Sequence, residues 1–288
     1  MSKRRVLVTG ATGKQGGAVA RQLIGKGHHV RAFTRDLGKP GAQTLAGLGA
    51  ELAVGNLDDR ASVQRAIDGV DAVFAVATPF EEGTQAETQQ GINLADAAIA
   101  AGVQLVYSSV ANADRQTGIP HFDSKFAVEQ HIRAGASNAT ILAPVYFMEN
   151  LNFIRAQLRD GVYASPLTPD RKLGQIAVSD IAAVAVAVLE DGAAHAGKRY
   201  DLGADELSGN QAIAVLSRIT GKPLNYYQLP PETVRGAMGE DGARMYQWFQ
   251  STGYTFDPAA LRSAFPTVPW LSFEAWARAQ DWTWLNGQ

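Results

Sequence analysis

The 288-residue chain predicts an α/β fold, a doubly wound parallel sheet with helices on both faces, followed by a smaller α+β part. Three observations carry this. Short apolar runs alternate with segments of helical period through the first half. A glycine-rich turn joins the first strand to the first helix. After about residue 150 the alternation loosens, without a linker or charge block to mark a tether.

The elements follow in order. Val6 to Thr9 is a short apolar run, read as a buried strand. Ala18 to Ile24 places Val19, Ala20, Leu23 and Ile24 on one helical face, and Gly25 and Gly27 end it. His29 to Thr34 reads as a strand, 41–48 as a helix, 51–54 as a strand, 61–67 as a helix and 72–77 as a strand. A long helix over 84–101, a strand over 104–108, a helix over 120–134 and a strand over 140–143 complete the run. Strands alternating with helices of this length imply right-handed crossovers between parallel strands. Beyond, Ser179 or Asp180 is the expected N-cap of an Ala/Val-rich helix ending at Leu189. A helix over 210–220 is stopped by Gly221 and Pro223. A strand over 224–229 and one or two helices over 232–249 follow. The expected division is 1–155, with 174–194 packing back onto it, and a smaller C-terminal region over 195–288.

Composition narrows the function. With 26 Lys+Arg against 28 Asp+Glu the net charge is −2, and no basic stripe suits a nucleic acid. The absence of Cys removes disulfides, thiolate metal sites and cysteine nucleophiles. The five His (28, 29, 121, 131 and 195) show no metal-ligand spacing, so no metal is expected. Lys3-Arg4-Arg5 are followed only by Val6-Leu7-Val8, too little for a signal peptide. The longest apolar run, 181–189, is too short to span a bilayer. No membrane association and a cytoplasmic location are the expectations.

The motif with most chemical content is Thr9-Gly10-Ala11-Thr12-Gly13-Lys14-Gln15-Gly16-Gly17, set between strand and helix. Gly10 permits a tight turn, Gly13 lets backbone approach a pyrophosphate, and Gly16 lets the helix pack on the strand. The helix N-terminus offers N–H groups to phosphates. A βα turn without a ligand is the alternative. The second strand ends Phe33-Thr34-Arg35. An acidic residue there would suit the ribose of NAD; Arg35 suits a 2′-phosphate, with Lys14 able to reach the same group. NADP(H) is therefore favoured over NAD(H), against the alternative that Arg35 is a solvated surface residue.

At these residues the chain resembles the NmrA-like group of atypical short-chain dehydrogenases/reductases. The matching segments are Thr9–Gly17, Thr34-Arg35, Gly55–Asp59, Val106–Ser109, His121–Glu129 and Pro144–Asn150, extended by 178–182 and 220–223. The resemblance implies an NAD(P)-binding Rossmann domain with a smaller C-terminal part over a cleft. It implies that Gly10, Thr12, Gly13, Lys14, Gln15 and Gly16 line the pyrophosphate. Asn56 and Leu57 would flank the adenine, and Ala77, Thr78 and Pro79 would lie beside the riboses. Lys125 would reach the nicotinamide ribose, and Pro144 to Asn150, with Tyr146 and Phe147 among them, would close over the nicotinamide.

The resemblance departs at the chemistry. Active short-chain dehydrogenases pair a Tyr with a Lys four residues later, on one helix face, where the ammonium lowers the phenol pKa. Here His121 stands in place of the Tyr and Lys125 is kept. His121, Lys125, Val128 and Ile132 share one face, Phe122 and Phe126 another. The family's Ser would fall near Val110, just after Ser108 and Ser109. Lys125 and His121 are the candidate catalytic residues. His121 could relay a proton, or could be a neutral histidine beside the cofactor, since a nearby ammonium disfavours imidazolium.

Two functions follow. The favoured one is an NADP(H)-responsive sensor or regulator with a protein partner and little dehydrogenase catalysis. The other is an NADPH-dependent reductase of a quinone, enone or other apolar acceptor, a small-molecule substrate. The aromatic skew bears on the second: all five Trp, from Trp248 to Trp284, lie in the last 41 residues. Tyr246, Trp248 and Phe249 are candidates to line a pocket. Trp270, Trp276, Trp282 and Trp284 are expected to anchor the chain end.

Overall fold

The computed structural model describes residues 2–135 and 138–286. These form two compact units. The first comprises Met1–Gln116, Pro120–Pro144 and Val178–Asp201; the second comprises Thr117–Ile119, Val145–Ala177 and Leu202–Gln288.

The first unit alternates as the sequence predicts: β1 (Arg5–Val8), α1 (Lys14–Gly25), β2 (His29–Thr34), α2 (Pro40–Gly47), β3 (Glu51–Val54), α3 (Arg60–Ile67), β4 (Ala72–Ala75), α4 (Gly83–Ala100), β5 (Gln104–Ser108), α5 (Pro120–Gly135) and β6 (Thr140–Pro144). The chain then enters the second unit with β7 (Tyr146–Phe147), α6 (Arg155–Arg159), β8 (Val162–Ser165) and β9 (Lys172–Ile176). It returns to the first with α7 (Val178–Glu190), α8 (Gly192–His195) and β10 (Arg199–Leu202). The remainder is β11 (Asp205–Ser208), α9 (Gly209–Thr220), β12 (Asn225–Gln228), α10 (Pro231–Ser251), α11 (Pro258–Ala264) and α12 (Phe273–Arg278).

The first unit's sheet has the order β10-β6-β5-β4-β1-β2-β3. Its strands run parallel, with Val6 opposite Val30 and Ala72, and Val106 opposite Phe74 and Thr140. The order reverses between β1 and β4, a switch point whose carboxyl edge is where such sheets bind ligands. Successive side chains point to opposite faces. Leu7, Val73, Leu105 and Ile141 pack with Val63 and Ile67 of α3, Leu94 and Ala98 of α4, and Val128 and Ile132 of α5. The alternate positions Val6, Val8, Phe74 and Val106 are fully buried on the side where α1 and α7 pack together. Burial on both faces explains why these strands read as continuous apolar runs.

Several expectations are corrected. The strand expected over 72–77 pairs only to Ala75, leaving Val76 and Ala77 in the turn beyond. The helix expected from Ser179 or Asp180 starts at Val178, so both lie inside its first turn; Asp180 is fully buried there. The segment Arg199–Leu202, assigned by sequence to the C-terminal region, extends the main sheet. Ile141 N donates to Lys198 O at 2.9 Å, which brings the chain alongside β6. Pro144 ends the first unit's share of the chain before position 155.

The second unit holds a three-stranded sheet, β11-β9-β7, and a parallel pair, β12-β8. Its core gathers Met148, Leu158, Leu216, Leu224, Phe273, Trp276 and Leu285. Helix α9 opens with a reciprocal cap between Ser208 and Gln211 and ends at left-handed Gly221. Helix α10 is broken at Gly239, whose φ of 68° interrupts the hydrogen-bond ladder. Among the described residues no helix is long and apolar enough to cross a membrane.

Candidate functional site

The glycine turn is the first component. Thr9 fixes it to the neighbouring strand end: its hydroxyl donates to Val76 O at 2.9 Å and accepts from Val76 N at 2.8 Å. Gly10 has φ +58°, a left-handed conformation, and a Cβ there would stand 2.6 Å from the Val76 side chain. At Gly16 a Cβ would come within 2.5 Å of the Thr9 and Gly10 carbonyl oxygens, so the helix lies directly on the turn. Gly13 N donates to Gly10 O at 2.9 Å and Gly13 is the N-cap of α1, with no side chain capping the helix and no acid in its first turn. Lys14 is exposed in that first turn, and Thr12 is exposed beside Gly41 at the start of α2.

Gln15 is buried, and its Oε1 has no hydrogen-bond partner among the described residues. Since either end of the amide can occupy that position, the group is a polar atom in want of a ligand partner. An uncapped helix start, a turn lacking side chains and this orphaned amide together fit a dinucleotide.

At the end of β2, Arg35 forms an ion pair with Glu81, and both side chains are half-exposed. Sequence reasoning had not weighed Glu81. Asp36 is turned into its own loop: its Oδ1 accepts from Gly38 N at 2.8 Å and its backbone pairs with the Thr34 hydroxyl. At the end of β3, Asn56 Oδ1 accepts from Asp58 N, and Ser62 Oγ donates to Asn56 O at 2.8 Å. Leu57 O accepts from buried Asn93 of α4 at 2.8 Å, which makes Asn93 the support for this adenine-side loop. Beyond β4, Ala77 is buried, Thr78 is exposed, and Pro79 O accepts from Gly83 N at 2.8 Å.

Lys125 projects from α5 toward the same strand end. Its Nζ donates to Ala77 O at 3.1 Å and lies 2.8 Å from Glu87 Oε1. Glu87, on α4, is fully buried, and its Oε2 accepts from the Ser124 hydroxyl at 2.5 Å. The lysine is therefore paired with a buried acid of the same unit. His121 lies one turn before Lys125, edge-on to Phe122 with ring centroids 4.8 Å apart. Phe122 is fully buried, so the buried arc of α5 is wider than a single stripe.

Ser109, beside the position expected of a catalytic serine, donates to Glu129 at 2.5 Å. Glu129 is fully buried and is also held by Arg199 at 2.9 Å and Arg133 at 3.1 Å. Arg199 bonds Asp201 at 2.6 Å. Burial opposes its charge, but Glu129 and Asp201 raise its pKa, so it stays cationic. Tyr107, fully buried and with no partner for its hydroxyl among the described residues, is pushed well above the usual phenol range by burial and then by Glu87 and Glu129. Pro144 ends β6, and its carbonyl accepts from Ala111 N at 3.0 Å. None of Glu87, Glu129 or Arg199 carried a sequence signal beyond its charge.

In the second unit, the Tyr146 and Tyr246 hydroxyls are 3.2 Å apart. Burial raises the Tyr146 pKa well above its ordinary value, Tyr246 adds to this, and a hydrogen bond with Asn150 opposes it. Phe147 continues β7. Both tyrosines meet the Phe249 ring edge-on, and Phe249 is fully buried. Trp248 packs against Phe249 and Tyr254. Trp270, Trp276, Trp282 and Trp284 all spend their indole N–H within this unit, on Phe265 O, Glu149, Ala277 O and Asp281 O. These four serve as anchors.

Known proteins share this architecture. Residues 2–271 match the NmrA-like family. A (4-alkanoyl-5-oxo-2,5-dihydrofuran-3-yl)methyl phosphate reductase of Streptomyces griseus is 31% identical over 284 residues, covering 96% of each chain. The NADPH-dependent quinone oxidoreductase of Escherichia coli, solved with NADPH, superposes with a TM-score of 0.79 at 26% identity, covering 94% of this chain and 98% of that one. The negative transcriptional regulator NmrA, solved with NADP, has the same fold, with a TM-score of 0.77 at 23% identity over 97% of this chain and 95% of its own. The match over nearly the whole chain makes this chain a member of the NmrA-like family of NAD(P)-binding proteins.

Proposed function

We propose that this chain is an NADPH-dependent reductase of a conjugated, apolar acceptor such as a quinone or an enone. The observation that carries the reading is an intact dinucleotide turn combined with a buried lysine held at the same sheet edge. The reductase names of the Streptomyces and Escherichia relatives support it.

In this reading Gly10, Thr12, Gly13, Lys14, Gln15 and Gly16 take the pyrophosphate on backbone N–H groups and the helix start. Arg35, with Lys14, takes a 2′-phosphate through charge-assisted hydrogen bonds, releasing Glu81. Asn56 and Leu57 border the adenine, Ala77, Thr78 and Pro79 the riboses, and Pro144 the nicotinamide end. Lys125, kept in place by Glu87 and Ala77 O, holds the second ribose. When bound, the nicotinamide supplies a hydride. The chain's own contribution is orientation, which suffices for acceptors that delocalise the added charge onto oxygen and then take a proton from water. Simple aldehydes and ketones need an acid at the oxygen, which neither His121 nor Lys125 supplies readily.

NADPH oxidation with a panel of quinones, enones and aldehydes tests this. Turnover with the conjugated acceptors, falling steeply in Lys125→Ala, is expected. Tight NADPH binding with no turnover on any acceptor would overturn it. That outcome would favour the second reading, an NADP(H)-responsive regulator of a protein partner, for which His121 in place of the tyrosine is the supporting observation.

A further inference from the structure

Glu87 is the feature of the first unit that no cofactor role absorbs. It is fully buried on α4, where a solvated carboxylate would be expected only on the outer face. Its Oε1 lies 2.8 Å from Lys125 Nζ as an ion pair, without a hydrogen bond among the described residues, and its Oε2 accepts from the Ser124 hydroxyl at 2.5 Å. The other buried acid nearby, Glu129, is met by two arginines, Arg133 and Arg199. Among the described residues, the charge of Glu87 is matched by Lys125 alone, and Lys125 has no second acid. The pair is neutral as a unit, and its lysine end is fixed to Ala77 O at the carboxyl edge of the sheet.

We propose that Glu87 is a positioning residue that sets the charge at the nicotinamide end of the site, and with it the relative affinity of the chain for oxidised and reduced cofactor. This rests on the cofactor reading given above. An oxidised nicotinamide carries a positive charge that the reduced ring lacks. A lone buried ammonium would repel the oxidised form and leave the reduced form almost unaffected. With Glu87 ionised beside it, Lys125 can donate hydrogen bonds without imposing that net charge. Two opposite functions, reductase and regulator, both need the two redox forms to be bound in a definite ratio, so the assignment does not depend on which is correct.

The test measures dissociation constants of NADPH and NADP⁺ by calorimetry for the native chain, Glu87→Gln, Lys125→Met, the double variant and Ser124→Ala. Glu87→Gln is expected to raise the ratio of the NADP⁺ constant to the NADPH constant about tenfold, the scale of one unit charge in a partly screened interior. Lys125→Met should lower the ratio, and the double variant should return it to within about threefold of native, since its net charge is again zero. Ser124→Ala removes a hydrogen bond without changing charge and should leave the ratio unchanged. A role confined to folding would weaken both cofactors equally in every variant; equal weakening, or a ratio that ignores the charge, overturns the assignment. If Glu87→Gln does not fold, Lys125→Met against the double variant still decides, because they differ by the same charge. A native chain that binds neither cofactor defeats the cofactor reading itself, and is distinguished from the former outcome by that single measurement.

Discussion

Arg35 directly follows β2 as a half-exposed guanidinium already engaged by the carboxylate of Glu81. A 2′-phosphate has to displace that carboxylate, but it offers a doubly charged, multidentate acceptor in exchange. Arg35→Ala is therefore expected to weaken NADPH about tenfold or more and to leave NADH within about twofold. Titration of both cofactors checks this; equal losses would place the arginine outside the site. The same scale shows where local sequence is a sound guide. Gly10 is demanded by its left-handed φ of +58° and Gly16 by the Thr9 and Gly10 carbonyls of its own turn, which a side chain would strike. Such needs are written within a few positions, so the motif is legible. The orphaned amide of Gln15 and the ion pair of Arg35 are not, because they depend on which groups the fold brings near.

Among elements, β10 and α5 show what a misplaced arginine would cost. Arg199 reaches across to Glu129, a fully buried carboxylate that also holds Ser109. Arg199→Ala leaves that acid with Arg133 as its one cation among the described residues and should destabilise the fold by about 3 kcal/mol, the lower range for breaking a buried pair. A fall in the urea midpoint with unchanged slope would show it; a change under half that size would mean the network carries little energy. Helices α1 and α7 are joined at their ends by Glu190, which bonds Lys26 at 2.6 Å and His28 at 3.1 Å. Burial raises the Glu190 pKa, but the bonds from Lys26 and His28 outweigh it and the net direction is down. A carboxylate depressed in the folded state binds fewer protons there than when unfolded. Its contribution is present above the unfolded pKa and lost as pH falls through the folded one. Glu190→Gln should therefore narrow the stability gap between neutral and acidic pH, seen as a flatter melting temperature profile below about pH 4.5.

For the whole molecule, cofactor binding is linked to stability. NADPH at about a hundred times its dissociation constant should add about 2.7 kcal/mol to unfolding, and so raise the melting temperature by several degrees. A thermal melt with and without NADPH measures this, and no shift would contradict dinucleotide binding. The five Trp all lie in the second unit, so their emission follows that unit, while the far-ultraviolet signal follows both. The first unit was legible almost element by element, because strands buried on both faces and helices with one apolar face announce themselves by period. In the second unit, β7, β8, β9 and β11 escaped: Lys172–Ile176 carries two large apolar residues and Gly174, where a Cβ would stand 2.7 Å from the Phe256 ring. Strands this short are defined by their partners and not by their own pattern.

By itself the sequence determined the parallel sheet, the order of its first elements and the glycine turn. Each is encoded by neighbouring residues, through hydrophobic period, backbone freedom or helical spacing. Only the tertiary structure decided that Arg199–Leu202 joins the main sheet, that Arg35 faces Glu81, and that Lys125 is neutralised by Glu87. The reason is physical. A buried charge must find its counter-charge wherever the fold supplies one, and the partners come from elements distant in the chain: Lys125 of α5 meets Glu87 of α4, and Arg199 and Glu129 are separated by 70 positions. Chain pattern records which faces are apolar; it does not record which buried acid meets which base.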